Sequence, residues 1–429
     1  MKPYREYKMF QDMWIAQIPQ SWKMRKMKFL FNERSEKGYS NEPLLVASQE
    51  YGVILKSMYE SRTVEATKDL QLLKLVRVGD FVISLRSFQG GIEYAYYRGI
   101  ISPAYTILIA NREIHRAYFK FLAKSKPFIH LLQQCVVGIR EGQNISYALL
   151  KNHYLPLPPI TEQKYIAIYL ERQNETIDQY IATKQKEISV LEEYKQTIIN
   201  EAVTKGLDCN VPMKDSGIEW IGEIPAHWEV STVRRFYKSI LGKMLQNSSK
   251  SSADTVEKYL CAKDIHFGNV DTSNLKSMWF SEADKKIYHV LDGDLLIVEG
   301  GAGAGGCSVY HGNDNIFVQN SVHVVRPKSY MTNTFLCYWL EYLVKRGYID
   351  YACNKATIPH FTKDKLLDTP IVILPINEQY EIITYINERI KKILALIATI
   401  QKQITFLNEY RTTLISDVVT GQVNVSENC

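Results

Sequence analysis

Gly301, Gly303 and Gly306 stand in a G-x-G-x-x-G arrangement within Val298 to Val309, directly after the apolar run Leu295 to Val298. Glycines at that spacing behind a strand can let a pyrophosphate reach the backbone at a helix N-terminus. Such a cradle opens a helix and is followed about 20 residues later by an acidic group. Here Cys307 to Val325 reads as strand, Gly-Asn turn and strand, and the residue near the acidic position is Gln319. The stretch is therefore read as a glycine-rich connection between strands, where a DNA backbone could come closer than a side chain allows.

Other reactive groups are sparse. Asp80 and Asp294 lie in VGDFVIS (78–84) and DGDLLIV (292–298), where a turn aspartate entering a strand accounts for both. His311, His323 and His360 are scattered, and core or surface roles suit them better than ligation. The chain has no G-x-x-x-x-G-K-[ST] loop, H-E-x-x-H, G-x-S-x-G or amino-methyltransferase N/D-P-P-F/Y motif, and no carboxylate and lysine cluster of a nuclease. Seven cysteines, at 135, 209, 261, 307, 337, 353 and 429, form an odd set without C-x-x-C, so neither a disulfide framework nor a metal site is indicated.

Base-reading chemistry is better represented. Arg suits guanine and Asn or Gln suits adenine when carried on loops. Residues 84–91 offer Arg86, Ser87 and Gln89, and residues 138–146 offer Arg140, Gln143 and Asn144. In the second half of the chain the corresponding sets are Lys243, Gln246 and Asn247; Gln319 and Asn320; and Lys355, Thr357 and His360. Singly these are ordinary turn and surface residues. As sets they can edge a groove.

The elements that position them are duplicated. WIAQIPQSW (14–22) returns as WIGEIPAHW (220–228) at an offset of 206, and the Gly-Asp motifs recur at 214. PPITEQ (158–163) returns as LPINEQ (374–379), and the run from Leu191 returns from Leu407, both at 216. The predicted organisation is a mixed α/β domain over 1–158, a long helix over 159–205, a second such domain over 206–374, and a second helix with tail over 375–429. Thr161 and Asn377 are candidate caps behind prolines.

Ile390, Ile393, Ile397, Ile400, Ile404, Leu407, Leu414 and Val418 alternate at helical three and four spacing, with Arg411 in phase. Ile177, Ile181, Ile188, Leu191 and Ile198 match them in the first copy. Helices of about 41 residues, roughly 60 Å long, cannot leave such a stripe in water, so each is expected to bury it on the other. The alternative is a helix packed on its own domain. An antiparallel pair brings the end of the second helix back beside the first domain. The predicted fold class is α+β, with two mixed domains separated by an antiparallel coiled coil and related by a pseudo-two-fold internal repeat.

At 46% hydrophobic and 23% charged residues the composition is that of a globular protein. No apolar run reaches eighteen residues and the first residues lack a signal-peptide core, which points to the cytoplasm. Residues 1–158 hold 23 Lys and Arg against 13 Asp and Glu, a net of +10, whereas 206–374 hold 18 against 19, a net of −1. The positive balance lies in the first domain, where it can attract a polyanion.

Two domains that each begin with W-I-x-x-I-P-x-x-W, contain Gly-Asp before an apolar strand and end in P-x-x-E-Q plus a long helix resemble the specificity (S) subunits of type I restriction-modification systems. The resemblance spans nearly the whole chain and departs before Trp14, leaving residues 1–13 without a motif. It implies a non-catalytic subunit whose two target-recognition domains each read one half of a bipartite, asymmetric double-stranded DNA target. The helices would set the spacing and bind two methyltransferase (M) subunits, which hold S-adenosylmethionine. Restriction (R) subunits, using ATP and Mg, join that core; this chain itself would carry no cofactor. A coiled-coil adaptor without DNA binding, and a nucleotide-dependent enzyme using Gly301 to Gly306, are the alternatives.

Overall fold

The computed structural model describes residues 2–11, 13–59, 69–138, 144–353 and 359–425. The chain divides into two compact units, residues 1–185 with 400–429, and residues 186–399. The first unit contains β1 (Tyr7–Met9), β2 (Gln17–Pro19), β3 (Lys23–Lys26), β4 (Phe31–Arg34), β5 (Phe81–Ile83), β6 (Glu93–Tyr94), β7 (Thr106–Ala110), α1 (Arg116–Leu122), α2 (Lys126–Gln134) and β8 (Tyr154–Leu157). A long helix, α3 (Ile160–Lys205), follows. The second unit repeats the series as β9 (Met213–Asp215), β10 (Glu223–Pro225), β11 (Glu229–Thr232), β12 (Tyr237–Leu241), β13 (Leu295–Val298), β14 (Cys307–Val309), β15 (Val322–Pro327), α4 (Asn333–Lys345), α5 (Tyr348–Ala352) and β16 (Pro370–Ile373). The second long helix is α6 (Ile376–Val419).

The two units share one central topology. Each has a four-stranded sheet, in the order β4-β7-β5-β6 and β12-β15-β13-β14. Each adds two ribbons, β1-β2 with β3-β8 and β9-β10 with β11-β16. Tyr7 faces Pro19 as Met213 faces Pro225, so the first residues do in backbone pairing what the motif-bearing segment does in the second copy. The inner strands β5 and β13 are buried along their whole length, which explains their unbroken apolar sequence.

The Gly-Asp turns ahead of these strands are equivalent too. Gly79 and Gly293 take left-handed backbone angles, φ 87° and 82°. Asp80 accepts the Arg77 amide and Asp294 the Leu291 amide, both at 2.8 Å. Each carboxylate is then held by a guanidinium: Arg34 Nε lies 2.8 Å from Asp80, and Arg326 lies 2.7 and 2.6 Å from Asp294. Locked in this way, both serve the turn.

The glutamine of P-x-x-E-Q joins helix to domain. Gln163 is fully buried; its Oε1 accepts the His115 amide ahead of α1 at 2.6 Å, and its Nε2 donates to Pro158 O at 2.9 Å. Gln379 repeats this with the Thr332 amide ahead of α4 at 3.0 Å and Leu374 O at 3.1 Å. One side chain thus satisfies an otherwise orphaned helix N-terminal amide and a strand-end carbonyl.

Helices α3 and α6 have 46 and 44 residues, and each begins one residue later than the sequence bounds. Gly206 and Gly421, at φ 72° and 76°, end them. In the first unit Ile166 and Leu170 of α3 share a core with Leu414, Val418 and Val419 of α6. Asp178 pairs with Arg411. In the second unit Ile199, Ala202 and Val203 lie with Ile382 and Ile386. Within each unit the two segments therefore run antiparallel. Of the stripe residues, Ile177, Ile400, Leu414 and Val418 are buried in the first unit and Ile181, Ile404 and Leu407 half-buried. In the second, Ile198, Ile393 and Ile397 are buried and Ile188, Leu191 and Ile390 half-buried. The helix ends also pack on the domains, Ile166 with Trp22 and Phe119, and Ile382 with Trp228 and Trp339. Among the described residues no helix is long and apolar enough to cross a membrane.

Candidate nucleic-acid interface

The glycine-rich stretch is a hairpin connection. It leaves β13 and returns as antiparallel β14, with Ile297 facing Cys307. The Gly305 amide donates to Val298 O at 2.9 Å and the Val298 amide to Gly306 O at 2.8 Å. No helix opens behind it, so the geometry is not that of a dinucleotide cradle. Gly305 is required by close approach, because a Cβ there would stand 2.7 Å from Ile349. Gly301 takes φ 87° and has open space beside it.

In the second unit this connection shares one end of the sheet with the loop after β12 and the turn before β15. The Lys243 amide donates to Val318 O at 2.9 Å, and the Asn320 amide to Lys243 O at 2.7 Å. The Glu299 amide donates to Ser321 O at 2.9 Å. Gly300 pairs with His360, whose ring fills the space a Cβ would need, 3.0 Å away. Lys243, Gln319, Asn320 and His360 are thereby gathered at one end, although they come from three separated segments. The carbonyl of Gln246, three residues beyond Lys243, accepts the Trp279 amide at 3.2 Å, and Asn247 follows it.

Their availability differs. Asn247 and His360 are exposed and Asn320 is half-buried, each with side-chain polar atoms unbonded among the described residues. Gln319 is partly engaged, accepting from Ser321 Oγ at 3.0 Å. Gln246 Nε2 donates to Ser248 O at 2.9 Å. Lys243 is a correction to the sequence expectation: it is buried, paired with Asp284 and 5.1 Å above the Phe280 ring. Burial raises the Asp284 pKa, but the lysine and the Ser281 amide and hydroxyl more than offset this and leave it below its ordinary value. Exposed Met244 and Leu245 occupy the same loop, and a reading confined to polar groups passes them by. Apolar side chains there suit a thymine methyl.

In the first unit the equivalent end carries the turn after β5. Arg86 and Gln89 are exposed on it, and the short helix Ser87–Gly90 lies against the strand Asn144–Ile145, where Asn144 is exposed. Ser87 is the second correction, since it is buried and its Oγ accepts the Ser84 amide at 2.8 Å. Gln49, absent from the sequence candidates, donates to Arg86 O at 3.2 Å and packs over Gly90. Arg140, Gln143, Lys355 and Thr357 lie outside the described residues.

Behind these edges the two units differ electrically. In the first, Lys124 reaches both oxygens of buried Glu93 at 2.7 Å, yet burial pushes that carboxyl up to about 7. In the second, His323 on β15 is fully buried beside Phe361 O at 3.1 Å, and burial lowers it to about 4. It is neutral near pH 7, and its Nε2–H donates to the Phe361 carbonyl.

Comparison with known proteins fits this duplicated arrangement. Residues 226–405 match the type I restriction modification DNA specificity domain. The chain is similar to type I restriction-modification specificity subunits. A Methanocaldococcus jannaschii protein provisionally named type I restriction enzyme MjaX specificity subunit is 24% identical over 96% of both chains. The type I restriction enzyme MjaVIII specificity subunit of the same organism is 25% identical over 63% of this chain and 61% of its own. The fold is shared with the HsdS subunit from Thermoanaerobacter tengcongensis, at TM-score 0.52 and 17% identity over 95% of this chain and 98% of that one. It is also shared, at TM-score 0.70 and 17% identity over 95% of this chain and 99% of the other, with a chain from a study of complex assembly and conformational transition of the type I R-M system. The specificity-domain match falls on the second copy, and the common strand order extends the fold to the first.

Proposed function

We propose that this chain is the non-catalytic sequence-reading subunit of a type I restriction-modification complex, with each unit reading one half of a bipartite DNA target. The observation that carries this is the repeated sheet end. The same four-stranded sheet carries Arg86 and Gln89 after its inner strand in one copy, with Asn144 packed beside them, and Asn320 and His360 at the corresponding end in the other, with Asn247 on the loop after β12. Equal scaffolds with unequal polar groups suit two different half-sites. The long helices hold the spacing between the halves.

The helices also dock two methyltransferase subunits. Tyr180, Val190 and Tyr194 on α3 are exposed, and so are Leu396, Phe406 and Tyr410 at the same positions 216 residues later on α6. Val190 with Tyr194, and Phe406 with Tyr410, are four residues apart and share a helix face. A duplicated apolar patch suits two copies of one partner. S-adenosylmethionine is then held by the methyltransferase, and ATP with Mg by the restriction subunit that joins the assembly.

The test is DNA binding by the chain assembled with its methyltransferase partner. Binding that weakens with salt and is absent from the methyltransferase alone is the expected result. Equal binding by the methyltransferase alone makes the chain a coiled-coil adaptor instead.

A further inference from the structure

Part of the excess charge of the first unit lies on the β3-β8 ribbon. Strand β3 reads Lys23-Met24-Arg25-Lys26 and continues through Met27, Lys28 and Phe29. It pairs with β8, Lys26 facing Tyr154, and the Lys28 amide donates to Lys151 O at 2.9 Å. Lys23, Arg25, Lys28 and Lys151 are exposed, and Lys26 is half-buried. Along β3 the alternation puts exposed Lys23 and Arg25 on one face and half-buried Met24 and Lys26 on the other, and buried Met27 follows in the next turn.

Two exposed rings stand among these cations. Arg25 and Lys28 lie 5.1 and 5.3 Å from the Phe29 ring, and Lys26 lies 5.3 Å from the Tyr154 ring. Arg25 has a weak acidic partner, Glu113 at 3.6 Å. Among the described residues Lys23, Lys26, Lys28 and Lys151 make no ion pair.

The same ribbon in the second unit carries fewer cations: Arg235 is exposed 5.8 Å from the Phe236 ring without an ion pair among the described residues. Strand β11 reads Glu229-Val230-Ser231-Thr232, and the following Arg234 is held by Asp368 at 2.8 Å and Asp364 at 3.4 Å. One scaffold therefore carries a concentrated cation row in only one copy. A row of unpaired cations interleaved with aromatic rings is complementary to a phosphate backbone.

We propose that the β3-β8 ribbon of the first unit grips the DNA phosphate backbone beside its half-site, without reading bases. This grip rests on the DNA-reading role proposed for the chain. It makes the two units unequal: the first anchors and reads, whereas the second reads with little electrostatic help.

The experiment uses the assembled complex and a duplex carrying its target. Lys23→Gln, Lys26→Gln and Lys28→Gln are combined, Arg25 is kept with Glu113, and Arg235→Gln serves as the second-unit control. The triple variant should flatten the plot of log affinity against log salt by about 0.9 for each phosphate that is no longer neutralised. The methylated sequence should stay the same and the control should leave the slope unchanged. An unchanged slope in a folded triple variant overturns the proposal. Loss of the methyltransferase from the purified complex, with the slope kept in what remains, also overturns it and makes the ribbon a protein-binding surface. If the unaltered complex binds no DNA, the parent role fails with it, a result distinct from either.

Discussion

The two units solve the same folding problem with different side chains at matching places. Glu162 and Glu378 are equivalent, one residue before the bolting glutamines. In the second unit Glu378 accepts from the Trp228 indole and bonds His227, both at 3.0 Å. In the first, Glu162 accepts from Tyr4 at 2.6 Å, and the buried Trp22 indole nitrogen has no partner among the described residues. The first unit sets Lys124 against buried Glu93 on β6. The second has the Cys307 and Cys337 thiols 3.6 Å apart on the corresponding flank, with burial holding Cys307 well above the ordinary thiol pKa. The backbone plan is thus constrained by register and by the two glutamines, while the chemistry placed on it is free to diverge.

The largest effect is expected at the glutamines. Gln163→Leu or Gln379→Leu strands a buried amide and a buried carbonyl, at about 2–5 kcal/mol for the two groups. Hydrogen exchange should show α1 loosened in the first variant and α4 in the second. Loosening of both helices by either change breaks the picture of two separately held units.

Opposite pH responses come next. Glu93 titrates near 7 in the folded chain and near 4.5 unfolded, so between those values the folded state binds more protons and stability falls as pH rises. His323 titrates near 4 folded and near 6.5 unfolded, so in that window the unfolded state binds more protons and stability rises with pH. Each change amounts to about 3 kcal/mol at most. Protection of β5 and β6 amides, corrected for intrinsic exchange, should decline from pH 5 to 7 while that of β13 and β15 grows. Glu93→Gln and His323→Asn should each flatten only their own unit's trend.

A smaller contrast lies at the paired glutamates. Glu378→Ala removes the acceptor of a buried indole and should cost about 1–3 kcal/mol. Glu162→Ala removes only the Tyr4 hydrogen bond and should cost less in thermal unfolding. Equal costs contradict the different wiring of the two tryptophans. Smallest in stability, Phe406→Ala with Tyr410→Ala should change it by under about 0.5 kcal/mol. The mass of the purified complex should nevertheless fall from two methyltransferase copies to one, and Val190→Ala with Tyr194→Ala should remove the other.

Duplication makes much of this legible in the sequence. The Gly-Asp turns, the helix stripe and the strand character of Leu295 to Val298 all follow local periodicity or turn chemistry, which one chain carries twice. Residues 7–9 are not legible, because backbone pairing with Gln17 to Pro19 needs no particular side chain. Lys243 reads as a free cation because Asp284, its partner, stands 41 positions later. Ser87 reads as a donor, but its hydroxyl is spent on a turn three residues back. Gln49 reaches Arg86 across 37 positions, a juxtaposition that only the fold supplies. Met244 and Leu245 escape because exposed apolar side chains leave no polar signature in a loop.

The most direct measurement is the adenine methylome of cells carrying the cognate partner subunits and a chain in which Asn247, Asn320 and His360 are replaced together by alanine, alongside the unaltered chain. The expected result is a two-part motif in which one half relaxes or is lost while the other half and the spacing between them persist. Simultaneous alteration of both halves, or a motif unchanged in every position, contradicts separate reading by the two units.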